Sequence, residues 1–167
     1  MKTQNTATPV SCFQTPDSLP TGKIAGIDFG TVRIGIAISD AGRVLASPYE
    51  TYIRKSLDKD AQYFRQLVRE ERVVRFVLGL PLHLSGDVSE KAKEVLQFGK
   101  WLREITGIEV DYMDERYTSV EAERILREAG LTDKKRKERR DKLAAQILLS
   151  AYLDSGCKGT TEFLGIG

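Results

Sequence analysis

The sequence predicts an α/β protein: a mixed five-stranded sheet that opens with an antiparallel trio, continues in β-α units and is flanked by helices. Three observations carry this reading. Residues 23–53 hold three strand-like runs separated only by short turn signals, which implies antiparallel pairing. From residue 57 onward, stripes of helical period alternate with short apolar runs, the pattern of strands joined by covering helices. The stretch 143–153 is apolar on almost every side, which predicts a buried final helix.

Taken in order, the first strand runs from Lys23 to about Phe29 and is nearly continuously apolar, as suits a strand covered on both faces. The chain turns through Gly30–Val32, and Arg33–Ser39 forms the second strand. Asp40-Ala41-Gly42-Arg43 is a hairpin signal. The third strand, about Val44–Ile53, carries Pro48 and therefore belongs at an edge. Leu57, Ala61, Phe64 and Val68 mark one stripe of a helix that starts after Ser56. Val73–Leu80 is the fourth strand, followed by a loop through Gly86. Val88, Ala92, Val95, Gly99 and Leu102 mark a second helix, widened by Trp101 and broken by Gly107. Residues 108–113 alternate as the fifth strand. Thr118 and Glu121 form a capping box ahead of a helix that Gly130 ends, and the last helix spans about 137–153.

At 167 residues, 41% of them hydrophobic and 30% charged, the chain is one soluble domain with a real core. Residues 1–22, rich in Thr, Ser, Pro and Gln, are expected to be a disordered extension, 23–154 the folded domain and 155–167 a tail. No run of 18 apolar residues exists, so no membrane span or membrane partner is expected. Cys12 and Cys157 both fall in the tails, which argues against a disulfide framework and for a reducing, cytoplasmic setting.

The net charge is only +2, but its distribution is uneven. Residues 134–142 carry seven basic and two acidic side chains, a local +5 that leaves the rest of the chain at −3. Such a segment reads either as a solvated helix face or as a surface for a polyanion. Lys134, Lys135, Arg136, Lys137, Arg139 and Arg140 are its candidate phosphate contacts, joined by Arg33 and Arg116.

Three acidic positions are out of place on a solvated surface. Asp28 lies within the first strand, where an ionised carboxylate is costly unless paired or bound to a metal; the alternative is an aspartate that merely caps the Gly30-Thr31 bend. Asp114-Glu115 follows the fifth strand at its carboxyl end, where open α/β sheets build their sites. Asp141 shares a helix face with Ala144, Ala145 and Leu148, and small alanines there let that helix approach the sheet. Convergent carboxylates repel unless a cation sits among them, and oxygen-only ligands suit Mg²⁺ or Mn²⁺. Two such ions, roughly 3.5–4 Å apart, activate water and stabilise the leaving oxygen of a phosphodiester. Strand alternation sets Asp114, not Glu115, on the face of Ile108, Val110 and Tyr112; a bulge would reverse this, so Glu115 is kept as the ligand with Asp114 in reserve. The single histidine, His83, is too little for a zinc site or a Ser-His-Asp system and is read as a loop residue, with substrate contact as the alternative.

Asp28-Phe29-Gly30-Thr31 with Arg33-Ile34-Gly35, Gly79-Leu80-Pro81-Leu82, Asp114-Glu115-Arg116-Tyr117-Thr118-Ser119 and Asp141–Leu148 together resemble the YqgF/RuvX family. These are RNase H-like, Holliday-junction-resolvase-like proteins regarded as pre-16S rRNA nucleases. The resemblance covers about 23–154. It implies an RNase H-like fold, a metal-dependent hydrolase in ribosome biogenesis that matures the 5′ end of 16S rRNA, and a catalytic set of Asp28, Glu115 and Asp141. His83 stands where the family often has Asn, and Tyr117 where an aliphatic residue is usual.

Expected partners are therefore pre-16S rRNA or structured DNA, with ribosomal particles in view, and the chain would act as a monomer or homodimer. The rival readings are a junction-cutting DNA endonuclease and a non-cutting RNA-binding module. The Asp28–Thr31 turn also resembles the first phosphate loop of actin-like and sugar-kinase ATPases, but 167 residues leave no room for the second domain that such a fold needs.

Overall fold

The computed structural model describes residues 19–82, 88–115, 118–130 and 132–159. The five strands are β1 (Lys23–Asp28), β2 (Arg33–Ser39), β3 (Ala46–Ile53), β4 (Val73–Leu80) and β5 (Val110–Asp114). They form one sheet in the order β3-β2-β1-β4-β5. β1, β2 and β3 pair antiparallel, as their short connections require, and β1, β4 and β5 run parallel. The helices are α1 (Leu57–Glu71), α2 (Glu90–Thr106), α3 (Thr118–Glu128) and α4 (Asp133–Asp154).

Strand alternation sorts the residues between the two faces. Ala25, Ile27, Phe29, Ile34, Ile36, Phe76, Leu78 and Tyr112 pack with Phe64 of α1 and Val95, Phe98 and Leu102 of α2. On the other face, Ile24, Ala37 and Val77 pack against Ala145, Leu149 and Tyr152 of α4. The central strands are thus covered on both sides, which is why β1 and β4 read as nearly continuous apolar runs.

Element boundaries move for local reasons. β3 begins at Ala46 and not at Val44, because the Asp40 carboxylate accepts the backbone amides of Val44 and Leu45 and holds them in the turn. α2 begins after Ser89, whose hydroxyl accepts the Ala92 amide. β5 is shifted to 110–114 because the Thr106 hydroxyl accepts the Ile108 amide and keeps that residue in the turn after Gly107. α4 starts at Asp133, four residues before the expected start at about 137, with Thr132 at the N-cap and Asp133 in the first turn. Nor is α4 buried all round: Ala144, Ala145, Leu148, Leu149 and Tyr152 are buried, while Leu143, Ile147 and Leu153 stay half-exposed. It covers one sheet face with α3 beside it, so among the described residues a single stripe meets the core. The Thr118 cap, His83 and the loop through Gly86, and Cys12 lie outside the described residues or side chains.

The buried carboxylate of Asp60 is structural. It accepts hydrogen bonds from the Tyr52 hydroxyl at 2.8 Å, the Lys55 amide at 3.0 Å and the Arg54 guanidinium at 3.1 Å. Burial alone would raise its pKa, but these donors hold it below the ordinary aspartate value. Arg54 in turn lies over the rings of Phe29 and Phe98, fastening the turn after β1 to α2.

Candidate active site

Asp28 ends β1, and its even-numbered partners on that strand, Ile24 and Gly26, face α4. The same alternation along β5 sends Asp111 to Tyr152 and Met113 to the α4-side core, so Glu115 is next on that face. Its amide donates to the Leu80 carbonyl at 3.2 Å, and the β4–β5 register runs without a bulge. The expected reversal is therefore unnecessary. Ile108, Val110 and Tyr112 do share a face with Asp114, but it is the face of α1 and α2, and the site lies on the other. Gly79 of β4 makes room for Glu115: a Cβ there would come within 2.6 Å of its Oε2.

Asp141 arrives from α4, and with Asp28 and Glu115 it lines one pocket of about 470 Å³. The pocket also touches Thr31, Arg33, Lys91, Glu94 and Arg140. It sits at the carboxyl ends of the parallel strands β1, β4 and β5. Lys91 and Glu94, from the first turns of α2, carry no apolar or motif signal that marks them in the sequence. The position of α2 at this sheet edge is what brings them in.

The electrostatics separate Asp28 from an ordinary turn residue. Asp40, which does hold a turn, is exposed, and its pKa is lowered by the Leu45 and Val44 amides. Asp28 goes the other way. Burial first, then the charges of Glu115 and Asp141, push its pKa up to about 7, with Lys91 and Arg140 opposing. Asp141 Oδ2 lies 3.1 Å from Arg33 Nε, yet this buried oxygen accepts no hydrogen bond from the described residues. The contact is one of charge without donor alignment. Glu115 Oε1 lies 3.7 Å from Lys91 Nζ.

As they stand, no three of the described His, Cys, Asp and Glu side chains cluster tightly enough to enclose a metal ion. The donors themselves nevertheless suit a hard cation: all are carboxylate oxygens, one is buried with no hydrogen bond from the described residues, and burial followed by their mutual repulsion raises the central pKa.

Of the basic candidates, Arg140 reaches the pocket and Lys134, Lys135 and Arg139 are exposed along the first turns of α4. Arg136 is turned to Asp133 one turn earlier, and Arg33 to Asp141. The side chains of Arg116 and Lys137 lie outside the described residues.

A sequence model of RuvX, described as Holliday junction resolvase, matches residues 22–155. The chain belongs to the RuvX family. A relative from Rhodopirellula baltica bearing the name "Putative pre-16S rRNA nuclease" is 43% identical over 158 residues, 94% of this chain and 91% of its own length. One of the same name from Syntrophomonas wolfei is 46% identical, over 82% of this chain and 97% of its own. Among solved structures, Thermus thermophilus RuvC in complex with a Holliday junction superposes with a TM-score of 0.53 at 15% identity, covering 83% of this chain and 98% of that one. The Fowlpox virus resolvase bound to Holliday junction DNA gives 0.51 at 12% identity, covering 81% and 99%. These two establish the RNase H-like architecture of the RuvX domain and nothing finer.

Proposed function

We propose that this RuvX protein is a divalent-metal-dependent nuclease that hydrolyses phosphodiester bonds of precursor 16S rRNA at its 5′ side. The observation that carries the reading is the meeting of Asp28, Glu115 and Asp141, from three separate elements, in one pocket beneath a basic helix. A domain that only held RNA would gain nothing from three carboxylates placed where a polyanion must approach. The names borne by the relatives supply the substrate.

Asp28, Glu115 and Asp141 would hold Mg²⁺ or Mn²⁺, which when bound lowers the pKa of water and polarises the phosphate. The chain's own residues do the rest. Gly79 leaves space for Glu115 to reach the pocket. Arg140, on the pocket wall next to Asp141, is placed to meet a phosphate entering from the α4 side. The test is cleavage of precursor rRNA beside a four-way DNA junction, each with Mg²⁺ or Mn²⁺. Cutting of the rRNA is expected; cutting of the junction alone would assign a resolvase, and binding without cutting a recognition module.

The exposed lysines and arginine of α4 should act through phosphates alone. Replacing Lys134, Lys135 and Arg139 together with Ala should lower the slope of log affinity against log salt by about 2, since each phosphate contact on a single strand contributes roughly 0.7. Turnover at saturating RNA should hold. Filter binding across a salt series measures it, and an unchanged slope would return these residues to a solvated face.

A further inference from the structure

Beside the carboxylate pocket lies a second, more open cavity of about 400 Å³, lined by Gly30, Thr31, Val32, Arg33 and Asp141. All of these but Val32 also line the first, so the two adjoin along the turn between β1 and β2. The character of the wall changes here from acidic to apolar and basic. Val32 is 68% exposed. Ile53 stands on the same flank: it is the cross-strand partner of Arg33, so both point to the α4 face, while Tyr52 points into the other core. It is 61% exposed, and the Arg54 amide, donating to the Val32 carbonyl at 3.0 Å, ties the end of β3 to this turn. Across the strand ends the surface thus runs from Glu115 and Asp28 through Arg33 on β2 to Ile53 on the edge strand β3.

A phosphodiester held at the carboxylates belongs to a strand that continues on both sides of the cut. This cavity gives one of its flanking nucleotides a place continuous with the site. The Arg33 guanidinium is anchored by the charge of Asp141, and its side chain stays about one-third exposed. A guanidinium plane next to two exposed aliphatic side chains is a platform for a nucleobase. It carries little that could read sequence. A base inside a duplex cannot use it, because its faces are already covered by the stack.

We propose that Val32, Arg33 and Ile53 form a subsite for the unstacked base of the nucleotide next to the scissile phosphate, so that the protein takes its substrate as a single strand at the point of cleavage. This rests on the nuclease reading and deepens it by naming the form of the substrate. Val32 and Ile53 are both largely exposed, so replacing them leaves the core untouched.

The test is fluorescence anisotropy of the full chain in metal-free buffer with three labelled probes: a uridine dodecamer, its duplex with the adenosine dodecamer, and an abasic ribose-phosphate dodecamer. The wild type should bind the single strand about tenfold more tightly than either of the others, the worth of one base contact. Val32→Ser with Ile53→Ser should bind the uridine strand no better than the abasic one, whose affinity should not move because the phosphate contacts remain. Val32→Ile with Ile53→Val should keep the preference. On precursor rRNA the double serine variant should raise KM about fivefold with kcat held, the mark of lost uniform binding. A wild type that prefers the duplex, or binds the abasic strand as well as the uridine one, would overturn the subsite. So would serine variants that keep the base preference but lose self-association in sedimentation, which would give this surface to a second copy of the chain. Base preference in a wild type that cuts no RNA with Mn²⁺ would overturn the nuclease reading and leave the subsite standing.

Discussion

Asp28→Asn is expected to abolish cleavage and stabilise the fold in the same stroke. The substitution keeps the side chain's volume and removes the charge at the centre of the site. Asp28 is held at a pKa of about 7 by burial and by Glu115 and Asp141, against an ordinary value of 3.8. Between those two values the folded protein keeps a proton that the unfolded chain releases, so the wild type loses stability as pH rises from about 4 to 7 and levels off above. The asparagine variant has no such loss. Its advantage should be near zero only below about pH 4, where the wild-type carboxyl is protonated in the folded and the unfolded chain alike. It should grow to about 1–2 kcal/mol at pH 8, less than the full shift implies because the carboxylate is partly solvated. Thermal denaturation of both proteins across this range checks the sign. Mn²⁺ should raise the wild-type melting temperature by mass action and leave the variant unmoved. Cleavage should fall by more than about 100-fold, beyond what loss of a mere outer-shell partner produces. A variant that cuts RNA at the wild-type rate would remove Asp28 from the site.

The residues that the sequence exposes as candidates are those whose chemistry conflicts with their place in the fold. Asp28 stands out because a carboxylate interrupts an apolar strand, and Asp141 because it precedes a stripe of alanines. The antiparallel trio of β1, β2 and β3 also follows from the run lengths and the short connections. The face on which Glu115 lies could not be read that way. β5 is apolar at Val110 and Tyr112, and a strand covered on both sides carries a core on each; the polar-looking series Asp111, Met113 and Glu115 is the one that meets α4. Periodicity names two faces and cannot say which of them holds the site. Lys91 was invisible for a related reason. A lysine in the first turn of an amphipathic helix has the spacing of a solvated residue, and only the tertiary position of α2 turns it into the pocket.

Gly35→Ala should damage the protein at the joint that sets the site. Gly35 sits on β2 on the face toward α4, and a Cβ there would fall 2.0 Å from the carbonyl oxygen of Asp141 and 2.9 Å from the amide nitrogen of Lys142. Both neighbours are backbone, so no side-chain rotation relieves the clash, and the helix itself must move. The alanines of α4 answer from the other side: Ala144 and Ala145 are buried, and small residues on both surfaces let the helix lie directly on the sheet. The substitution should cost about 3 kcal/mol, the upper part of the range for overpacking. Its effect on cleavage should be larger than the loss of folded protein, because the displaced turn is the one that carries Asp141. A shift of roughly 1 Å in a group of this kind is worth about 100-fold in rate. Ile36→Val is the matched control. Its neighbour on β2 points into the other core, where losing a methylene costs about 1 kcal/mol without touching α4. Urea denaturation gives the folded fraction of each variant, and single-turnover cleavage under conditions where both are fully folded isolates the rest. Ile36→Val should then cut RNA at the wild-type rate, with Gly35→Ala far below it; equal rates for the two would mean that the seating of α4 on β2 does not position Asp141.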